Sequence, residues 1–99
     1  MYSTDISGVI LAGGHGSRLG GEDKGLVDVN SRPMISYCIE RFAPQVSTLV
    51  INANRNLTTY RELGFPVITD QITDFAGPLA GIAAALSSCK TSYLAVAPC

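Results

Sequence analysis

A short, nearly continuous apolar run, Ile6 to Ala12 (ISGVILA), stops abruptly in glycines. Such a run fits a strand buried on both faces, the situation inside a parallel sheet. The theme returns at Val46 to Ala53 (VSTLVINA), Phe65 to Thr69 (FPVIT) and Ser92 to Ala97 (SYLAVA). Helix-like segments lie between these runs. Pro33 to Phe42 opens with proline at a first helical position, has Ser31 as a candidate cap, and sets Met34, Tyr37, Cys38 and Phe42 near one face. Leu57 to Leu63 has Asn56 as a candidate cap and Gly64 as its stop. Pro78 to Cys89 is rich in alanine and leucine. Strands alternating with helices predict an α/β domain with a mainly parallel sheet and helices on both faces. Ligands on such sheets bind beyond the carboxyl ends of the strands. That rule selects the loop after Ala12, the segments around Asn52 and Asp70, and whatever follows Ala97.

The 99 residues suffice for one small domain or part of a larger one. With 15% charged residues and a net charge of −1, nothing marks a nucleic-acid or membrane footprint. The opening MYSTDISGVILAGG has no basic stretch and no long apolar run, so it reads as neither signal peptide nor anchor. Cys38, Cys89 and Cys99 are far apart, no CxxC spacing occurs, and His15 is the single histidine. A reduced, cytoplasmic chain with unpaired thiols is the simplest expectation.

Seven of the ten glycines fall between Gly8 and Gly25. Glycine lets backbone N–H groups approach an anion closely, and Gly13, Gly14 and Gly16 can supply such a concave surface. Arg18 and Lys24 add two positive charges to the same loop: arginine forks onto phosphate oxygens, and lysine acts as a point charge. The P-loop pattern is absent, because Lys24 follows Asp23 and precedes Gly25. The dinucleotide pattern is absent too, since Gly14, Gly16 and Gly20 give G-x-G-x-x-x-G. A hydride-transfer function is therefore disfavoured. The loop is expected to grip the phosphates of a nucleoside triphosphate.

Taken together, LAGGHGSRLGGEDKGL (Leu11 to Leu26) resembles the signature of nucleotidyltransferases that begin with a strand and LAGG. The DKGL ending is similar to one branch, the molybdenum cofactor guanylyltransferases. VINANR (Val50 to Arg55), VITD (Val67 to Asp70) and DFAGPLAGI (Asp74 to Ile82) continue the likeness over nearly the whole chain. The resemblance implies a Rossmann-like α/β fold and transfer of GMP from GTP to the molybdenum-pterin cofactor, with magnesium and release of pyrophosphate. It implies that Leu11, Ala12 and Gly13 contact the nucleotide through the backbone, that Lys24 holds the phosphates, and that Asn52 and Asp70 line the nucleotide site. Arg18 is a further charge for the same phosphates. Asn52 and Asp70 also have plainer readings: Asn52 as a turn or cap residue, Asp70 as a residue that caps a turn. Another nucleotidyltransferase, of sugar-phosphate or cytidylyl type, or a non-catalytic nucleotide-binding module, stays open as an alternative.

One departure concerns the end of the chain. In the family, the strand equivalent to YLAVAPC continues into an aspartate that binds magnesium, whereas this sequence stops at Cys99. Residues 1–99 are therefore expected to be the N-terminal, GTP-binding portion of a nucleotidyltransferase domain cut short, with no metal ligand of its own. Such a portion is not expected to complete catalysis alone. In a sheet of order 3-2-1-4, the strand around Tyr93 to Ala97 would be a bare edge, so self-association is expected.

Overall fold

The computed structural model describes residues 5–12, 24–69, 78–89, 91 and 93–98. Strand β1 (Ile6–Leu11) is followed by a 3-10 turn at Lys24–Leu26 and a small antiparallel hairpin, β2 (Asp28–Val29) and β3 (Arg32–Pro33). Then come α1 (Met34–Phe42), β4 (Thr48–Asn52), α2 (Leu57–Arg61), β5 (Val67–Ile68), α3 (Pro78–Ser88) and β6 (Tyr93–Pro98). The main sheet has the order β5-β4-β1-β6, and every pairing in it is parallel. This is the 3-2-1-4 arrangement expected for the four apolar runs, in a Rossmann-like α/β fold.

The pleat explains why β1 is apolar on both sides. Ile10 lies beside Ile51 of β4, and Gly8 beside Leu49. On that face Ile10, Ile35, Leu49, Ile51, Ala53 and Tyr60 form one buried cluster, covered by α1 and by residues flanking α2. Val9 is equally buried but points the other way, since successive side chains alternate. Helix α3 packs against β1, β4 and β6 and buries Ala84 and Ala85. Fully burying a side chain such as Ile10 stabilises the fold by about 1.5–3 kcal/mol.

Helix α1 keeps Cys38 and Phe42 of the expected face, but Ile35 and Ile39 replace Met34 and Tyr37 on it. The residues that reach the core are Ile35, Cys38, Ile39 and Phe42, a clean i, i+3, i+4, i+7 stripe. Tyr37 turns aside instead, because its hydroxyl donates to the Val29 carbonyl at 2.6 Å in the hairpin. Neither expected cap residue makes a side-chain capping bond. Pro33 takes the N-cap position of α1 without a side-chain bond, and Ser31 lies in the hairpin turn. Asn56 occupies the N-cap of α2 in a left-handed conformation (φ 54°), again without a side-chain bond. Gly64, at φ 95°, does follow α2 as its stop, a backbone angle that side chains with a Cβ rarely adopt.

Gly8 is fixed by packing rather than by backbone angle. A Cβ at this position would lie 3.0 Å from Phe42 Cε2 and from both Cγ atoms of Val46. Valine is stiff about χ1 and cannot turn away freely. Gly8→Ala is expected to lower stability by about 1–3 kcal/mol, seen as a reduced urea midpoint with an unchanged slope.

Candidate functional site

The carboxyl ends of β1, β4 and β6 finish at the same level of the sheet. Leu11 is in register with Asn52 on one side and with Pro98 on the other. The chain leaves β1 toward β4 and later returns to its other side as β6, so a switch in strand order falls at β1. Ligands of open α/β sheets occupy the crevice outside such a point.

Backbone hydrogen bonds hold this edge together. The Ala12 N–H donates to the Asn52 carbonyl at 2.8 Å, and the Ala53 N–H donates to the Ile68 carbonyl at 3.0 Å. Asn52 is the last residue of β4 and is only 3% exposed. Its Nδ2 donates to the same Ile68 carbonyl at 3.4 Å. It is therefore a buried polar residue in a strand, not a turn residue. A buried amide needs partners, because leaving it unpaired costs about 1–3 kcal/mol. Among the described residues no buried side-chain nitrogen or oxygen lacks one. The structure thus brings Leu11, Ala12 and Asn52 together.

Lys24 opens the 3-10 turn that follows the glycine loop. Gly25 is buried, and Leu26 packs against the same cluster as Ala12, so the turn is anchored on the core two residues after Lys24. Gly13, Arg18 and Asp70 lie outside the described residues. In the sequence Asp70 comes two positions after the end of β5, whose last residue, Ile68, pairs with Asn52.

Between this turn and α1 lies the β2–β3 hairpin, which no periodic pattern marks in the sequence. Its turn residues, Asn30 (φ 52°) and Ser31 (φ 69°), both have positive φ, as a two-residue type I′ hairpin requires. The available signal was Asn30 in a polar pair between short extended segments. Arg32 is its most connected side chain. Its Nη2 meets Glu40 Oε2 at 2.9 Å, its Nε donates to Ser36 Oγ at 3.2 Å, and its Cζ stands 4.3 Å from the centre of the Tyr37 ring.

Cys38 and Cys89 are free, and Cys38 packs against the core. Cys89 belongs to a polar chain at the opposite, amino end of the sheet. Its Sγ is 3.2 Å from Thr91 Oγ1, which is 2.8 Å from Ser7 Oγ, itself 3.0 Å from Thr48 Oγ1. Hydrogen bonding to Thr91 holds the Cys89 thiol below its ordinary pKa. No group of three or more histidine, cysteine or acidic side chains among the described residues could hold a metal ion.

Comparison with known proteins places these features in a wider set. The model of the MobA-like NTP transferase domain matches residues 8–99. A molybdenum cofactor guanylyltransferase from Yersinia pestis (strain Pestoides F) is 59% identical over 95 residues, which are 96% of this chain and 49% of the relative. One from Ralstonia nicotianae is 56% identical over 97 residues, 98% of this chain and 48% of the relative. The chain therefore spans about half the length of the curated relatives it matches. A crystal structure of molybdopterin-guanine dinucleotide biosynthesis protein A from Archaeoglobus fulgidus shares the fold with a TM-score of 0.59 and 27% identity, over 83% of this chain and 42% of that one.

Proposed function

The chain belongs to the MobA-like NTP transferase domain family, and from that premise we propose that it is the GTP-binding portion of a molybdenum cofactor guanylyltransferase. The carrying observation is 59% identity over 96% of the chain to relatives of that name. In the proposed reaction, a terminal phosphate oxygen of the molybdenum-pterin cofactor attacks the α-phosphorus of GTP. The bond to the β-phosphate breaks, and pyrophosphate leaves.

Such a transfer needs positioning and charge neutralisation more than covalent chemistry from the protein. In this reading the backbone of Leu11, Ala12 and Gly13 meets the nucleotide at the end of β1. Lys24 and Arg18 neutralise charge on the α-phosphate and the departing pyrophosphate. Asn52, which can donate and accept, borders the nucleotide at the end of β4. An ionised Asp70 accepts from the paired N–H groups that guanine offers. The register of Leu11 with Asn52 supports this reading, because it sets two of these residues side by side at the edge where ligands bind.

Magnesium is expected with GTP in the full-length enzyme, where phosphate oxygens and water supply most of its ligands. The described residues offer no acidic cluster for it. Among them, no helix is long and apolar enough to cross a membrane, and a cytoplasmic enzyme is the setting we propose. The 99-residue chain alone is not expected to transfer GMP, and detectable transfer by it would overturn that expectation. Strand β6 forms one border of the sheet among the described residues, with Tyr93 66% exposed. Such an edge invites pairing, so the isolated chain is expected to self-associate. Sedimentation showing only monomer at high concentration would count against this.

Pyrophosphate release by the full-length protein tests the main proposal. With molybdenum-pterin cofactor as acceptor, GTP is expected to support turnover and CTP and ATP are not. Equal use of CTP would move the assignment to a cytidylyl enzyme.

A further inference from the structure

We propose that Arg32 is a positioning residue that fastens the β2–β3 hairpin to α1 and thereby fixes the backbone of Lys24 for phosphate binding. The proposal rests on the reading of Lys24 as a phosphate ligand.

The hairpin is too small to stand alone. Its strands have two residues each, and a two-stranded ribbon is marginal in water even when longer. Its exposed residues contribute little burial: Asp28, Val29, Asn30, Ser31 and Arg32 all face solvent. Something else must hold it, and the contacts that do so converge on one side of α1. Arg32 reaches Ser36 and Glu40, one turn apart on the helix, while its guanidinium stands over the Tyr37 ring between them. Tyr37 then donates back to the Val29 carbonyl at 2.6 Å, and Ser36 Oγ donates to the Pro33 carbonyl at 2.7 Å. Both strands are thus stitched to the helix, β3 through Arg32 and Pro33 and β2 through Val29.

The stitching bears on Lys24 because of chain order. Leaving the Lys24–Leu26 turn, the chain passes Val27, whose carbonyl accepts from the Met34 N–H at 2.9 Å, and enters β2 at once. The turn is therefore held from two directions: through Leu26 by the core, and through the hairpin by α1. The ion pair of Arg32 with Glu40 would count for little in isolation, as both side chains are largely exposed, at 44% and 67%. The planar guanidinium makes it more than a pair, since it stacks and forks at once, which a lysine ammonium does not do.

A loosened hairpin lowers the fraction of molecules whose turn is ready for GTP, and apparent affinity falls by that fraction. Chemistry after binding is unaffected. In steady-state kinetics of the full-length protein, Arg32→Ala is expected to raise KM for GTP about three- to tenfold, with kcat changed by less than about twofold. Arg32→Lys should recover only part of the loss. In a Lys24→Ala background, Arg32→Ala should have no further effect, because it acts through Lys24. The Met34 amide should exchange faster in Arg32→Ala, a readout independent of activity. If Lys24→Ala raises KM and Arg32→Ala does not, the positioning role is overturned and the phosphate reading survives. If Lys24→Ala is itself silent, the phosphate reading falls and the proposal with it. Equal losses from Arg32→Ala in both backgrounds, with a lowered Tm, would mean a merely structural role and would also overturn it.

Discussion

Lys24→Ala in the full-length protein is expected to lower kcat/KM for GTP about 100- to 1000-fold. That is the loss seen when one preorganised charge or donor is removed from a site where negative charge develops. The fold should survive the change, because the turn is held by buried Gly25 and by Leu26 on the core. Thermal unfolding and pyrophosphate release, measured together, separate the two effects. An unchanged Tm with the large kinetic loss fits a charge clamp. Full GTP affinity and turnover in Lys24→Ala would remove lysine from the proposed site and leave the neighbouring backbone to carry the phosphates.

The second large effect concerns stability. Ile10 is fully buried on β1, between Ile51 of β4 and Ala97 of β6. Its cluster also contains Ile35 and Tyr60, both fully buried. Ile10→Ala leaves a cavity that strands paired on both sides cannot close. The expected loss is about 2–5 kcal/mol. Small domains have about 5–15 kcal/mol in all, so this is a large share of the total. A fall in Tm of about 10–30 °C would report it. The control is Leu86, an equally apolar residue on α3 that is 57% exposed. Leu86→Ala should change stability by less than about 0.5 kcal/mol. Similar losses from the two would mean that the cluster around Ile10 does not dominate the fold.

These two predictions draw on different kinds of legibility. Ile10 belongs to an apolar run that could be found from composition alone, because a strand covered on both faces tolerates few polar residues. Lys24 was found through the order of residues around it, GGEDKGL, and the resemblance that order carries. Asn52 lies between these cases. Its place at the end of an apolar run was readable, but its burial was not, because an isolated asparagine in NANRN fits a turn equally well. Only the pairing of β4 with both β1 and β5 excludes water from it and points its Nδ2 at Ile68.

The hairpin shows the limit most clearly. Its strands are too short for a periodic signal, and its turn lacks the glycine that usually marks such a connection. With the hairpin hidden, Tyr37 looked like a core residue and Ser31 like a cap. Arg32 carried no signal of its own, since its partners lie four, five and eight residues away and meet it only after α1 has formed.

Sequence by itself determined the alternation of strands and helices, the buried character of β1 and the identity of the charged residues near the glycine loop. Those follow from local pattern, where hydrophobic burial and backbone preference act on neighbours in the chain. Tertiary structure alone decided that Leu11 stands beside Asn52, that Asn52 is shielded from water, and that an exposed arginine ties the turn at Lys24 to a helix. Each of these joins residues from separate segments, and contact between separate segments exists only once the sheet and its covering helices have assembled.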